Sequence, residues 1–228
     1  MGFTVAELAK LCDAVYSKDL STRQKLITPG VHEKVFDDGT IDTLAAAGTG
    51  FHGACYVKEE DAAIVFAGTN FKSSKDLSAD LSMAAGRVPS QANRAADLVG
   101  TYGSWAKTHA GVKNFMVSGH SLGGALTQLV ATAMELPFVT FNAYGADGLA
   151  KDGSNAIGQV AKWSKGGAEG INVRADWDPV SKLSGHIGKV ITIATGGAVL
   201  KAHSITPLAE FLESKHAGAK PFADEPFN

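Results

Sequence analysis

The sequence predicts an α/β fold, with a mostly parallel sheet covered by helices on both faces. Three observations predict it. Apolar runs of strand length alternate with helical patterns from about residue 90 onward, the rhythm that parallel sheets require. The chain has 228 residues, 45% of them hydrophobic and 19% charged, enough for one well-filled domain spanning 1–228 and unlike a disordered chain. No internal repeat or low-complexity linker divides it.

Taken in order, Thr4-Val5-Ala6-Glu7 fits a capping box, and Val5, Leu8, Leu11, Cys12 and Val15 follow at helical spacing. The chain therefore opens with an amphipathic helix. Gly53 to Val57 and Ala62 to Phe66 are apolar runs joined by the charged turn Lys58-Glu59-Glu60-Asp61, which predicts a hairpin. Gln91 to Ala110 reads as a helix with Ser90 as N-cap and Gly111 as stop. A strand at Asn114 to Val117, a helix from Leu122 to Leu136 ended by Pro137, and a strand at Phe138 to Phe141 come next. Asp147 and Asp152 read as turn formers in a Gly/Asp-rich loop, ahead of a weak helix near Asn155 to Lys165. Ile171 to Val173 and Val190 to Ala194 complete the sheet, and a helix from about Pro207 to Lys215 closes the chain.

The bulk properties remove several classes of function. A formal net charge of −2 offers nothing to nucleic acid and little to an anionic membrane. Two cysteines, Cys12 and Cys55, are too few for a disulfide framework and have no metal-ligand spacing, so they read as buried free thiols. No metal or cofactor site stands out, because histidines and carboxylates do not recur at ligand spacing and no phosphate-binding glycine loop is evident. Residues 1–10 carry Glu7 and lack a basic, then apolar, leader pattern; the longest apolar run, Val190 to Leu200, is about half of a membrane span. The expectation is a soluble protein, cytoplasmic or exported by a route without a cleaved signal.

The chemistry is announced by Gly119-His120-Ser121-Leu122-Gly123. The string follows the strand Phe115-Met116-Val117 and opens into the helix Ala125-Leu126-Thr127-Gln128-Leu129. Strand, sharp turn and helix are what a nucleophile elbow requires. Glycines two residues to either side remove bulk from the strained turn, and the helix start aims N–H groups and a positive dipole end at a developing oxyanion. A serine becomes a nucleophile only when a histidine takes its proton, and a carboxylate must hold that histidine in one tautomer. In an α/β-hydrolase fold the chain order is serine, acid, histidine. Asp176 and Asp178 both follow the strand at Ile171, and Pro179 fixes the backbone beside the second. His186 precedes the last strand and His203 follows it, where this fold carries its base. His120 lies within the elbow, which turns its side chain away from the reacting centre. His32, His52, His109 and His216 have no motif context.

Several segments together resemble the class 3 lipases, the fungal-type triacylglycerol lipase family. They are the elbow Gly119 to Leu126, the upstream segment Ile64-Val65-Phe66-Ala67-Gly68-Thr69, Asp178-Pro179-Val180, His186-Ile187-Gly188 and Ala202-His203-Ser204, in the family's order over roughly Phe51 to Leu212. The chain departs from that family at Ala67, where arginine is usual, and lacks its histidine-glycine-phenylalanine segment near Val88 to Ala96. The resemblance implies an α/β-hydrolase fold and a carboxylic-ester hydrolase with Ser121, Asp178 and His203 as the triad. It implies oxyanion donors at the Leu122 backbone N–H and at Thr69, through its N–H and hydroxyl. It also implies an apolar lipid ester as substrate, with transient contact at a lipid surface. A phospholipase, including a lipase-type toxin delivered into another cell, is the second reading; a thioesterase or peptidase is the third; an inactive hydrolase fold used as a binding module is the alternative of another class. A covering flap, if built as in the family, falls between Asn70 and Gln91, where Asp76-Leu77 and Asp80-Leu81 repeat four apart.

Overall fold

In the computed structural model, residues 2–17, 19–34, 52–68, 88–108, 111–152, 169–196 and 199–223 are described. The flap expected within Asn70 to Gln91, up to residue 87, and the weak helix expected near Asn155 lie outside them.

Among the described residues, seven strands form one sheet in the order of the sequence: β1 (His32–Lys34), β2 (Gly53–Lys58), β3 (Asp61–Phe66), β4 (Asn114–His120), β5 (Phe138–Phe141), β6 (Gly170–Ala175) and β7 (Lys189–Ile193). β1, β2 and β3 pair antiparallel; every later pairing is parallel. The mostly parallel sheet is the one that the strand and helix rhythm predicts, and the fold is the α/β-hydrolase type that the resemblance implies. A sheet crossed in one direction by right-handed connections places its crossover helices on one face. That face carries α3 (Val88–Thr108), α4 (Leu122–Ala133) and α5 (Asp147–Asp152), packed on Cys55, Val57, Ile64, Phe66, Val117 and Phe138. The opposite face, with Tyr56, Val65, Met116, Val139 and Val173, is left to the two ends of the chain: α1 (Val5–Ala14) and, after the short α6 (Val199–Ala202), the terminal α7 (Ile205–His216). Between them, α2 (Leu20–Leu26) and β1 had no sequence pattern strong enough to predict them; Arg23 grips Glu33 with two hydrogen bonds of 2.7 Å and ties the two together.

Local chemistry explains most of these elements. Thr4 and Glu7 cap α1 reciprocally, as the sequence predicts, and Val5 N–H donates to the Ala219 carbonyl beyond α7. Cys12 and Cys55 are buried free thiols, and burial pushes the Cys12 thiol up to about 12.

Three local expectations are corrected. Ser90 is not an N-cap, because α3 already runs at Val88. Pro89 is tolerated in a first turn, where its missing N–H has no intrahelical partner to lose. The helix after the elbow ends at Ala133, not Leu136. Glu135 adopts φ 55° there, with Glu135 N–H bonded to the Thr132 carbonyl and Leu136 N–H to the Ala131 carbonyl. This is a Schellman closure built on a residue other than glycine, hence invisible in the sequence. Asp147 and Asp152 bound a helix rather than a turn, with Ala146 and Ala150 turned into the core.

The register aligns the carboxyl ends of β3 to β7: Phe66 opposes Gly119, His120 opposes Phe141, Phe141 opposes Val173, and Ala175 opposes Ile193. Residues just past these positions therefore meet along one edge, where open α/β sheets carry their chemistry.

Candidate active site

Ser121 stands between the end of β4 and the start of α4, at φ 58° and ψ −124°. This is left-handed backbone that a serine seldom adopts, and it holds the side chain clear of both elements. The flanking glycines permit it. A Cβ on Gly119 would fall 2.5 Å from the Gly123 carbonyl oxygen, and one on Gly123 would fall 2.3 Å from the Phe66 carbonyl oxygen. The start of α4 is thus pressed against the end of β3. Gly123→Ala has only backbone to push against (Phe66 O, Ala67 C and Ala67 O), so it is expected to cost about 3 kcal/mol or more. Thermal unfolding of the variant checks this; an unchanged melting temperature would show that β3 and the elbow are not held together as described.

His203, in the loop between α6 and α7, points Nε2 at Ser121 Oγ at 2.9 Å. Its Nδ1 lies 3.0 Å from Asp178 Oδ1. Asp178 follows β6 and is fully buried, while Ser121 is 1% and His203 8% exposed. The carboxylate also accepts the Val180 and Ser181 backbone N–H groups, at 3.0 and 3.1 Å, from a 3₁₀ turn (Val180–Lys182). Pro179 leads that turn, so the Asp178 carboxylate is oriented by its own loop. Ser121, Asp178 and His203, separated by 25 to 82 residues, are brought into one hydrogen-bonded line.

The rival residues sit elsewhere. Asp176 accepts the Thr195 N–H and hydroxyl and fastens the end of β7. His186 bonds through Nε2 to the Ser181 carbonyl, bracing the turn behind Asp178. Leu122 opens α4, and its N–H is among the four that a helix start leaves without an intrahelical partner. Thr69 lies outside the described residues. The neighbouring Gly68 N–H is already committed, since it donates to the Tyr16 hydroxyl at 3.0 Å.

Three positioning side chains had no signal in the sequence. Asn142, buried past β5 at φ 41°, donates to the Ala202 carbonyl at 2.7 Å and accepts the Ala175 N–H at 2.8 Å. It clamps the loop that carries His203 to β6, the strand that leads to Asp178. Gln128 on α4 accepts the Ile187 N–H and donates to the Tyr144 carbonyl, holding two loops at the same edge. His120 bonds Tyr16 through Nδ1 and the His203 carbonyl through Nε2. Each contact joins residues at least 16 positions apart, and amide or imidazole groups in strands and helices carry no pattern that announces a distant partner.

A family model described as a Tle-like phospholipase domain, phospholipase-like, matches residues 7–222. Among solved structures, the chain is similar to lipase II from Rhizopus niveus at 17% identity, over 78% of this chain and 70% of that one, with a TM-score of 0.41. It is also similar to Est1E from Butyrivibrio proteoclasticus, solved with ferulic acid bound, at 16% identity over 52% of this chain, with a TM-score of 0.34. The match spans 65% of the length of Est1E. No curated protein matches the chain.

Proposed function

The chain belongs to the Tle-like phospholipase family, and on that premise we propose that it is a serine hydrolase cleaving carboxylic esters of phospholipids through an acyl-enzyme. The observation that carries the reading is the line from Ser121 Oγ to His203 to Asp178, 2.9 and 3.0 Å long, at a strained elbow.

In this reading Ser121 Oγ attacks the ester carbonyl carbon while His203 Nε2 takes its proton. Asp178 stabilises the imidazolium and keeps Nδ1 protonated. The carbonyl oxygen, now an anion, is held by the Leu122 N–H at the helix start and by Thr69. Commitment of the Gly68 amide to Tyr16 supports this division, because it leaves the upstream donation to the residue after Gly68. His203 then returns the proton to the leaving lysophospholipid oxygen, and a water activated the same way releases the fatty acid. The family description favours a phospholipid over a neutral glyceride. Among the described residues no helix is long and apolar enough to cross a membrane.

The test is fatty-acid release by purified protein from phosphatidylcholine and phosphatidylglycerol vesicles, beside tributyrin and a soluble p-nitrophenyl ester. Release from vesicles by the wild type, absent in Ser121→Ala, is expected. Release from tributyrin alone would move the substrate class to neutral glycerides. Silence toward all of them would refute the hydrolase reading.

A further inference from the structure

The elbow histidine is not reached by the mechanism above, yet its bonding is fully specified. His120 Nε2 lies 2.7 Å from the His203 carbonyl, which can only accept, so Nε2 carries the proton. Burial first, and then the neighbouring His203, push the His120 imidazole down to about 3; the ring is neutral and its Nδ1 is an acceptor. The Tyr16 hydroxyl, 2.7 Å away, therefore donates to Nδ1. Its oxygen accepts the Gly68 N–H at 3.0 Å. Burial pushes the Tyr16 phenol above its ordinary value, so the donor proton stays in place. The groups facing His120 are Tyr16 just past α1, and His203 and Asp178 from the base and acid loops; Cys12 and Asp13 stand near Tyr16 on α1.

Resting on the hydrolase reading, we infer that Tyr16 is a positioning residue for catalysis: one hydroxyl fixes the end of β3 that leads into the oxyanion segment and, through a neutral His120, the backbone of the base His203. Two halves of the machinery, the oxyanion side and the proton-transfer side, are referred to one point at the end of the N-terminal helix. The arrangement also keeps charge away from the base. The His120 and His203 rings are 5.0 Å apart; when His203 takes the serine proton, a charged His120 would oppose it, and His120 with both nitrogens engaged has no reason to take a proton. Gly68 shows how tight the junction is, since a Cβ there would stand 2.7 Å from Tyr16 Oη and 2.8 Å from Ser121 Cβ.

Tyr16→Phe removes only the hydroxyl. It is expected to lower kcat about 10- to 100-fold, with KM for a soluble ester within about twofold, because substrate contacts are untouched. The rate of phosphonate labelling at Ser121 falls in parallel, while the melting temperature shows that the fold is kept. Wild-type kcat and labelling rate in this variant would overturn the inference, as would an effect confined to KM. An independent readout is the nitrogen-15 and proton NMR of His120 in the wild-type protein. A neutral Nε2–H ring from pH 4 to 8 is expected; titration with an ordinary histidine midpoint would overturn the network whatever the activity. Should Tyr16→Phe fail to fold, the NMR result decides. An inactive wild type with the expected His120 signals would refute the hydrolase reading and leave the hydrogen-bond network standing.

Discussion

Ser121→Ala is expected to lower ester turnover about 10⁴- to 10⁶-fold, the range for loss of a nucleophile from a serine–histidine–acid system. The size follows from the geometry. The hydroxyl lies 2.9 Å from His203 Nε2, and without it no group at the elbow can form the acyl-enzyme. Whatever oxyanion stabilisation remains at Leu122 serves only a slow attack by water. The fold is expected to survive, because the φ of 58° is imposed by β4 and α4 and is no harder for alanine than for serine. The buried elbow loses one hydroxyl and one hydrogen bond, worth about 1 kcal/mol. Initial rates on a p-nitrophenyl ester and a melting curve check both halves. A phosphonate probe should add once to the wild type, at Ser121; a label on any other serine would sink the assignment.

The second large effect is expected at the acid. Asp178→Asn should reduce kcat about 10³- to 10⁴-fold, and the reason lies in how the carboxylate is used. Oδ1 faces both His203 Nδ1 and the Val180 N–H, and Oδ2 accepts the Ser181 N–H. All three partners are donors in the working tautomer. An asparagine has one oxygen to offer. With the oxygen in the Oδ1 place, its NH₂ meets the Ser181 N–H. Turned over, its NH₂ meets the Val180 N–H and forces the proton from His203 Nδ1 to Nε2, where it can no longer accept from Ser121. Either way a buried donor is left without an acceptor, costing about 1–3 kcal/mol of stability. Asp176→Asn should be mild by comparison, because the Asp176 carboxylate accepts from the Thr195 N–H and hydroxyl past the end of β7, through a single oxygen that an asparagine keeps. The comparison is made by kcat of the two variants on one soluble ester. Equal losses would mean that the acid has been assigned to the wrong carboxylate.

Much of this was legible because it is local. The capping box at Thr4 and Glu7, the hairpin around Glu59-Glu60 and the glycines at 119 and 123 all act on residues within a few positions of themselves. Short-range sterics and hydrogen bonding leave a mark in the order of residues. The same holds for Ser121 and for the fold's chain order of serine, acid and histidine, which nominated Asp178 and His203 as candidates. The misjudged boundaries are local too, but they rest on exceptions. Glu135 takes a conformation that usually calls for glycine, and the helix expected from Gln91 already runs at Val88, with Pro89 in its first turn.

What the sequence by itself determined, then, is the type of fold, the place of the elbow and a short set of residues able to complete it. Only the tertiary structure decided how those residues are held. Asn142 joins β6 to the loop that carries His203, Gln128 ties two loops to α4, and Tyr16 with His120 spans from the first helix to Gly68 and His203. These bonds cross up to 104 positions of chain. Their strength depends on direction and burial, which are properties of the packed sheet: its register aligns the strand ends, and removing water from that edge makes each polar side chain bond the partners that the fold brings within reach.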